Sequence, residues 1–217
     1  MDLLSAFFIL VILIFSAILH EVAHGFVAEK LGDPTARLAG RLTLNPLKHI
    51  DPFMSILLPA ILIYYQSPVV FGAAKPVPVD PFNLKEGRKD IALVSLAGPL
   101  TNVALAIIAA FAIKIIYFFI HTPSDSIRIE VFALYILGLI VRLNLLLAIF
   151  NLIPVPPLDG SKIFALVLPD KEARTYLALG SIGMFIIFFL LLFPIGGFSL
   201  GSFIFDLLSF AEKLLGI

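Results

Sequence analysis

Residues 3–31 read LLSAFFILVILIFSAILHEVAHGFVAEKL, and the fold turns on this stretch. Leu3–Leu19 is broken only by Ser5 and Ser16, and the apolar character resumes at Gly25–Ala28. A membrane helix needs about 20 mostly apolar residues. The run is too long for the apolar core of a signal peptide and lacks a small-residue cleavage site. It therefore reads as an uncleaved first helix, stopped by Gly32-Asp33-Pro34. Inside it stands His20-Glu21-Val22-Ala23-His24. On a helix, positions i and i+4 differ by about 40° of rotation, so both imidazoles can meet one metal ion with Glu21 beside them as a base. At about 1.5 Å per residue, Leu3 to His20 covers ~26 Å of a hydrocarbon core about 30 Å thick. The histidines then lie within the membrane, close to one surface, where such groups are expensive without a function.

The rest of the chain has the same character. Of its 217 residues 60% are hydrophobic and 14% charged, and the mean hydropathy is +1.08. A soluble domain carries about 45–50% apolar and about 25% charged residues, so an ordinary soluble enzyme and a disordered chain are both excluded. The 15 Lys and Arg balance 15 Asp and Glu, which excludes the basic excess of a nucleic-acid binder. With no cysteine there is no disulfide, no thiolate zinc site and no thiol catalysis.

Further spans are expected at Ile91–Ile120, Val131–Ile153 and Tyr176–Phe193, the first of these kinked near Gly98-Pro99. Residues 202–215 carry Asp206, Glu212 and Lys213 among apolar residues and read as an interfacial helix or a short fifth element. Residues 53–66 are apolar but short, with Pro59 inside, and either re-enter or make a short span. Loop charges favour re-entry. Lys30, Arg37, Arg41 and Lys48 follow the first span, Lys75, Lys85, Arg88 and Lys89 precede the second, and Lys162, Lys171 and Arg174 lie between the third and fourth. If residues 53–66 turn back, all three basic loops share one face, which the positive-inside rule makes cytoplasmic. The expected fold is an all-α polytopic membrane protein forming one domain over residues 1–217. It has four to five transmembrane helices, a re-entrant segment and a short membrane-associated β-hairpin.

A zinc site needs a third protein ligand. His49 sits beside Asp51-Pro52 and reads as a surface histidine in a turn. Asp159 follows the third span in Asn151-Leu-Ile-Pro-Val-Pro-Pro-Leu-Asp159-Gly160 and arrives on the histidines' side. From the residues alone it is either the third ligand or part of an Asp-Gly turn. Asn102, Asn144 and Arg142 fall within spans. Interhelical hydrogen bonding is the plain reading for both asparagines, and substrate contact is the functional one. Arg142 must face the bundle interior or a water cavity, with no partner evident. Between Ala73 and Val79, Pro76 and Pro78 alternate with Lys75, Val77 and Val79. Proline at every second residue removes donors from one edge only, which suits an edge strand or hairpin that holds unwound substrate through Lys75 and Val77; a stiff linker is the alternative.

HEVAHG in the first span, GAAKPVPV (72–79), SLAGPLTN (95–102) and NLIPVPPLDG (151–160) stand in the order of the site-2 protease family, which the chain resembles from His20 to about Lys162. The resemblance implies one zinc ion per chain held by His20, His24 and Asp159, with Glu21 as catalytic base. It places Asn151 near the active site, where an oxyanion role is expected. The implied activity is endoproteolysis of transmembrane protein or peptide substrates in the lipid bilayer of a cell membrane, with the active site near the cytoplasmic face. Unlike larger members, the chain shows no span before the HExxH helix and no PDZ-like or CBS-like domain. The rival readings are a non-proteolytic membrane or metal-binding scaffold, which an intact Glu21 disfavours, and an ion transporter. Transport is disfavoured because the ligands gather at one face.

Overall fold

The computed structural model describes residues 3–65, 74–119 and 127–217. The first helix, α1, spans Leu3–Leu31. It ends where Gly32 takes φ +114°, a conformation that favours glycine, and the Asp33 amide closes on Ala28 O at 2.9 Å. The chain then folds back on α1 through the short helix α2 (Thr35–Leu38). Gly25 permits this return: a Cβ there would lie 2.7–2.9 Å from Leu42 Cδ2, Val77 Cγ1 and Ala36 Cβ.

Residues Pro52–Leu57 form a π-helical turn that runs into α3 (Leu58–Tyr64), with Pro59 buried in its first turn. The two together are too short to cross a membrane as a helix. Gln66 and the residues up to Ala73, including the start of the GAAKPVPV motif, lie outside the described residues. At Lys75 the chain is back beside its point of departure, since the Lys75 amide donates to His49 O at 2.7 Å.

The expected β-hairpin is not found among the described residues. Residues 74–80 are extended but pair with no strand, and the β pairing among the described residues is an isolated bridge between Ile195 and Phe198. The reason is local. Pro76 and Pro78 have no N–H, and the donors of Lys75 and Val77 are taken by His49 O and the Glu21 carboxylate.

Helices α4 (Arg88–Phe119) and α5 (Ile127–Asn151) are the other long apolar elements, and α4 continues through Pro99 as one helix. With α1 they are the three described helices long and apolar enough to cross a membrane. The small residues Ala106, Ala109 and Ala110 let α4 approach Val141 and Leu145 of α5, an arrangement suited to lipid, where close packing replaces the hydrophobic drive. The expected fourth span is broken: α7 (Asp170–Leu177) and α8 (Gly180–Leu192) meet at 67°. Between α5 and α7 lies the short helix α6 (Asp159–Phe164). Its end is clamped by the Arg88 guanidinium, which donates to Ala165 O at 2.8 Å and Leu168 O at 2.9 Å.

The C-terminal segment is a helix, α9 (Leu200–Leu215), with Leu208 in the α4–α5 cluster and Ile204 packed with Ile187 of α8. It supplies the partner that the sequence could not name: Arg142 pairs with Glu212 at 3.4 Å. His49 is a second correction. It is fully buried, not on the surface, and its Nε2 donates to Thr43 O at 2.8 Å.

Candidate metal centre

The centre is built where α1, α4 and α6 meet. His20 and His24 lie one turn apart on α1, both buried, with ring centroids 4.6 Å apart. Their Nε2 atoms stand 3.1 Å and 3.2 Å from the same oxygen, Oδ2 of Asp159. Asp159 opens α6 and is itself buried. Its Oδ1 faces the Lys162 ammonium at 3.2 Å. That pair neutralises one carboxylate oxygen and leaves the other among the imidazoles.

The turn that delivers Asp159 depends on close backbone approach. A Cβ on Gly160 would sit 2.2 Å from Leu152 O, so the loop leaving α5 can fold over the start of α6 only with glycine there. A Cβ on Gly183 of α8 would meet Pro156 O at 1.8 Å. Tyr176 of α7 donates its hydroxyl to Pro154 O at 2.6 Å. Thus α7 and α8, which carry no ligand, support the proline turn from behind. Gly98 does the same for the histidines: a Cβ there would stand 2.5 Å from His20 Cε1 and from both Nε2 atoms. What SLAGPLTN supplies is a bare backbone against which two imidazoles lie.

The donor set fits zinc. Tetrahedral zinc with Zn–N and Zn–O bonds of about 2.0–2.2 Å separates its ligand atoms by ~3.3 Å. The two Nε2···Oδ2 separations are 3.1 and 3.2 Å. Each Nδ1 is engaged elsewhere, His20 with Asn102 Oδ1 at 2.6 Å and His24 with Val94 O at 2.7 Å. Both imidazoles therefore carry a proton on Nδ1, and in their neutral form this leaves Nε2 free to bind a metal ion beside Asp159.

Glu21 is half-buried beside this set, with ligand atoms of His20, Glu21 and His24 all within 4.8 Å of one another. Its Oε2 accepts the Val77 amide at 2.8 Å. The Val77 side chain is buried, and Lys75 is exposed, its carbonyl held by the Arg41 guanidinium at 2.7 Å. Asn151, at the end of α5, gives one amide hydrogen to Leu147 O at 3.0 Å. Asn102 and Asn144 are fully buried and hydrogen-bonded to each other at 2.9 Å.

Sequence reasoning missed two residues that matter. In the sequence Ser16 is a mere interruption of the apolar run, yet it lies one turn before His20 and accepts from Asn144 Nδ2 at 2.9 Å. Asp33 reads there as part of a helix stop. It is fully buried and accepts from the amides of Thr35 (3.0 Å) and Asp80 (2.7 Å), from Asn83 Nδ2 (2.9 Å) and from the Thr35 hydroxyl. It thereby ties the turn after α1 to the approach to α4. Burial alone would raise its pKa; these donors outweigh burial and hold the carboxyl below its ordinary value.

Comparison with known proteins gives a consistent result. The sequence profile of Peptidase family M50 matches residues 7–194. The chain is 38% identical over 199 residues to "Putative zinc metalloprotease YwhC" of Bacillus subtilis, covering 89% of this chain and 84% of that one. It is 33% identical over 176 residues to "Putative zinc metalloprotease Rip2" of Mycobacterium tuberculosis, covering 81% of this chain and 62% of Rip2, just under two thirds of that relative. No solved structure matches the chain.

Proposed function

Because this chain belongs to peptidase family M50, we propose that it is an integral-membrane zinc endopeptidase that cleaves peptide bonds within or near the membrane-spanning segments of other proteins. The observation that carries the proposal is the convergence of His20 Nε2, His24 Nε2 and Asp159 Oδ2 at separations suited to one tetrahedral ion, with both Nδ1 atoms engaged elsewhere. His20, His24 and Asp159 hold the zinc. When bound it supplies Lewis-acid polarisation of the scissile carbonyl and a water acidified toward pKa ~7. Glu21 accepts the proton of the attacking water and returns it to the leaving amine. Its carboxylate is steadied for this by the Val77 amide. The Asn151 amide keeps a second N–H beyond the one given to Leu147, and this donor supports the developing oxyanion. Lys162 leaves Asp159 one oxygen for the metal by occupying the other.

The substrate class follows from where the centre lies. The ligands sit toward the C-terminal end of α1, between long apolar helices. A transmembrane substrate must unwind there, because a helix hides its amides in i→i−4 bonds, and an unsatisfied backbone group in lipid costs several kcal/mol. The hydrogen bond from Lys75 to His49 O supports the reading of residues 53–66 as re-entrant. The basic loops then share one face, which argues for a centre near the cytoplasmic surface. The test is cleavage of a model transmembrane substrate by purified protein in detergent, with and without a zinc chelator. Chelator-sensitive cleavage within the apolar segment is the expected result. Cleavage untouched by the chelator would defeat the proposal.

A further inference from the structure

His20 is joined to a chain of buried side chains that no step of the proposed reaction requires. His20 Nδ1 contacts Asn102 Oδ1 at 2.6 Å, Asn102 Nδ2 contacts Asn144 Oδ1 at 2.9 Å, and Asn144 Nδ2 contacts Ser16 Oγ at 2.9 Å. The four residues come from α1, α4 and α5, and all are buried, the two asparagines completely. Asn144 Nδ2 also donates to Ile140 O at 2.9 Å, within its own helix.

That last contact sets a direction. A backbone carbonyl can only accept, so the Asn144 amide group must turn its NH2 toward Ile140 and its Oδ1 toward Asn102. Asn102 must then present NH2 to Asn144 and Oδ1 to His20. His20 must carry a proton on Nδ1, so that in the neutral imidazole the lone pair is on Nε2. Reversing either amide would set donor against donor or acceptor against acceptor in a buried place, where an unmatched polar group costs about 1–3 kcal/mol. His24 needs no such relay, because its Nδ1 meets the carbonyl of Val94 directly.

We propose that Asn144 and Asn102 are positioning residues that transmit the polarity of the Ile140 carbonyl to His20 and fix the imidazole in its metal-binding tautomer, so that the two-asparagine relay performs for His20 what one backbone carbonyl performs for His24. The proposal rests on the metal reading above. It assigns Asn102 and Asn144 a role in holding the ligand, away from substrate. It also ranks the members of the relay. Ser16 only receives a hydrogen from Asn144 and does not set its direction.

The test is zinc affinity of the full-length protein in detergent, measured by competition with a chromogenic chelator, beside the helical signal and thermal unfolding of the metal-free protein. Asn144→Leu should weaken zinc binding about 10–100-fold, the range for loss of a partner behind a metal ligand. Asn144→Ala, which only removes atoms, is read with it in case leucine is not accommodated. Ser16→Ala should weaken binding much less, because Ile140 still orients Asn144. Thr101→Val, which removes only a bond from Thr101 Oγ1 to Ala97 O in the neighbouring position of α4, should leave affinity unchanged. Adding Asn102→Asp to Asn144→Leu should restore affinity, since a carboxylate accepts from His20 Nδ1 whichever way it is turned. A packing defect at residue 144 would not be repaired in that way. Parental affinity in both Asn144 variants, an equal loss in Ser16→Ala, or failure of the Asn102→Asp rescue would each overturn the relay. Absence of zinc in the parent, or its retention in His20→Ala, would instead overturn the metal reading itself.

Discussion

Single residues separate the chemistry of the centre from its construction. Glu21→Gln preserves shape but cannot take a proton. It should retain zinc and lose cleavage by about 10²–10⁴-fold, the range for a general base, measured as turnover beside metal content. Gly98→Ala should do the reverse damage. Its methyl would stand 2.5 Å from both Nε2 atoms, so zinc content should fall sharply while the helical signal of the protein persists. Full zinc in Gly98→Ala would mean that α4 can retreat from α1, contrary to the packing seen. Both histidines and the glutamate between them are legible in HEVAHG because their geometry is local, fixed by 3.6 residues per turn. Asp159 is legible only through its motif, since it lies 139 positions beyond His20. The relay is not legible: Asn102 is 82 positions from His20 and 42 from Asn144, and nothing in the spacing along one helix says which face of another it will meet. His49 misleads because Asp51-Pro52 suggests an exposed turn, whereas the turn folds inward against α1 and residues 74–75.

At the scale of elements, the extended segment 74–80 is where expectation and structure differ most. The alternating prolines suggest one bare edge and one edge free to pair. The structure shows that two of the three expected donors are engaged, Lys75 with His49 O and Val77 with Glu21. Val77→Pro therefore acts on the proposed base. It should lower the turnover number with zinc content unchanged, whereas Pro78→Ala should be mild; loss of zinc in Val77→Pro would refute this. The same segment is anchored at its far end by Asp33. Its carboxyl is held below the ordinary value by donors present only in the folded protein, so its stabilisation is complete above the unfolded pKa of about 4 and is lost as pH falls through the lower folded value. Asp33→Ala should lower the thermal midpoint at neutral pH, leaving buried donors that each cost about 1–3 kcal/mol, and should flatten the acid limb of the stability profile. An unchanged acid limb would place the acid-sensitive group elsewhere. Helix boundaries at this scale are legible where apolar runs are long, as in α1, and poorly so at residues 176–193. There, apolar composition conceals a break at Gly180, whose φ is +23°.

For the whole molecule the central matter is how the chain threads the bilayer, and one hydrogen bond bears on it. His49 and Lys75 flank the ambiguous apolar segment, and Lys75 N donates to His49 O at 2.7 Å. Ends hydrogen-bonded to each other argue for a segment that returns to the side from which it left. A single crossing of a hydrocarbon core about 30 Å thick would separate them by that distance. Charge leads to the same conclusion, since only a returning segment gathers all the basic loops on one face. The chain contains no cysteine, so single introduced thiols report without background. Lys48→Cys and Glu86→Cys should both be modified by a membrane-impermeant reagent from the same side, and that side should be the cytoplasmic one. Ser124→Cys, in the stretch between α4 and α5 outside the described residues, should be modified only from the other side, because α4 is long and apolar enough to cross. Labelling of Lys48→Cys and Glu86→Cys from opposite sides would mean that the segment crosses. It would also break the tie between His49 and Lys75, and with it the placement of Val77 against Glu21 on which the proposed chemistry relies.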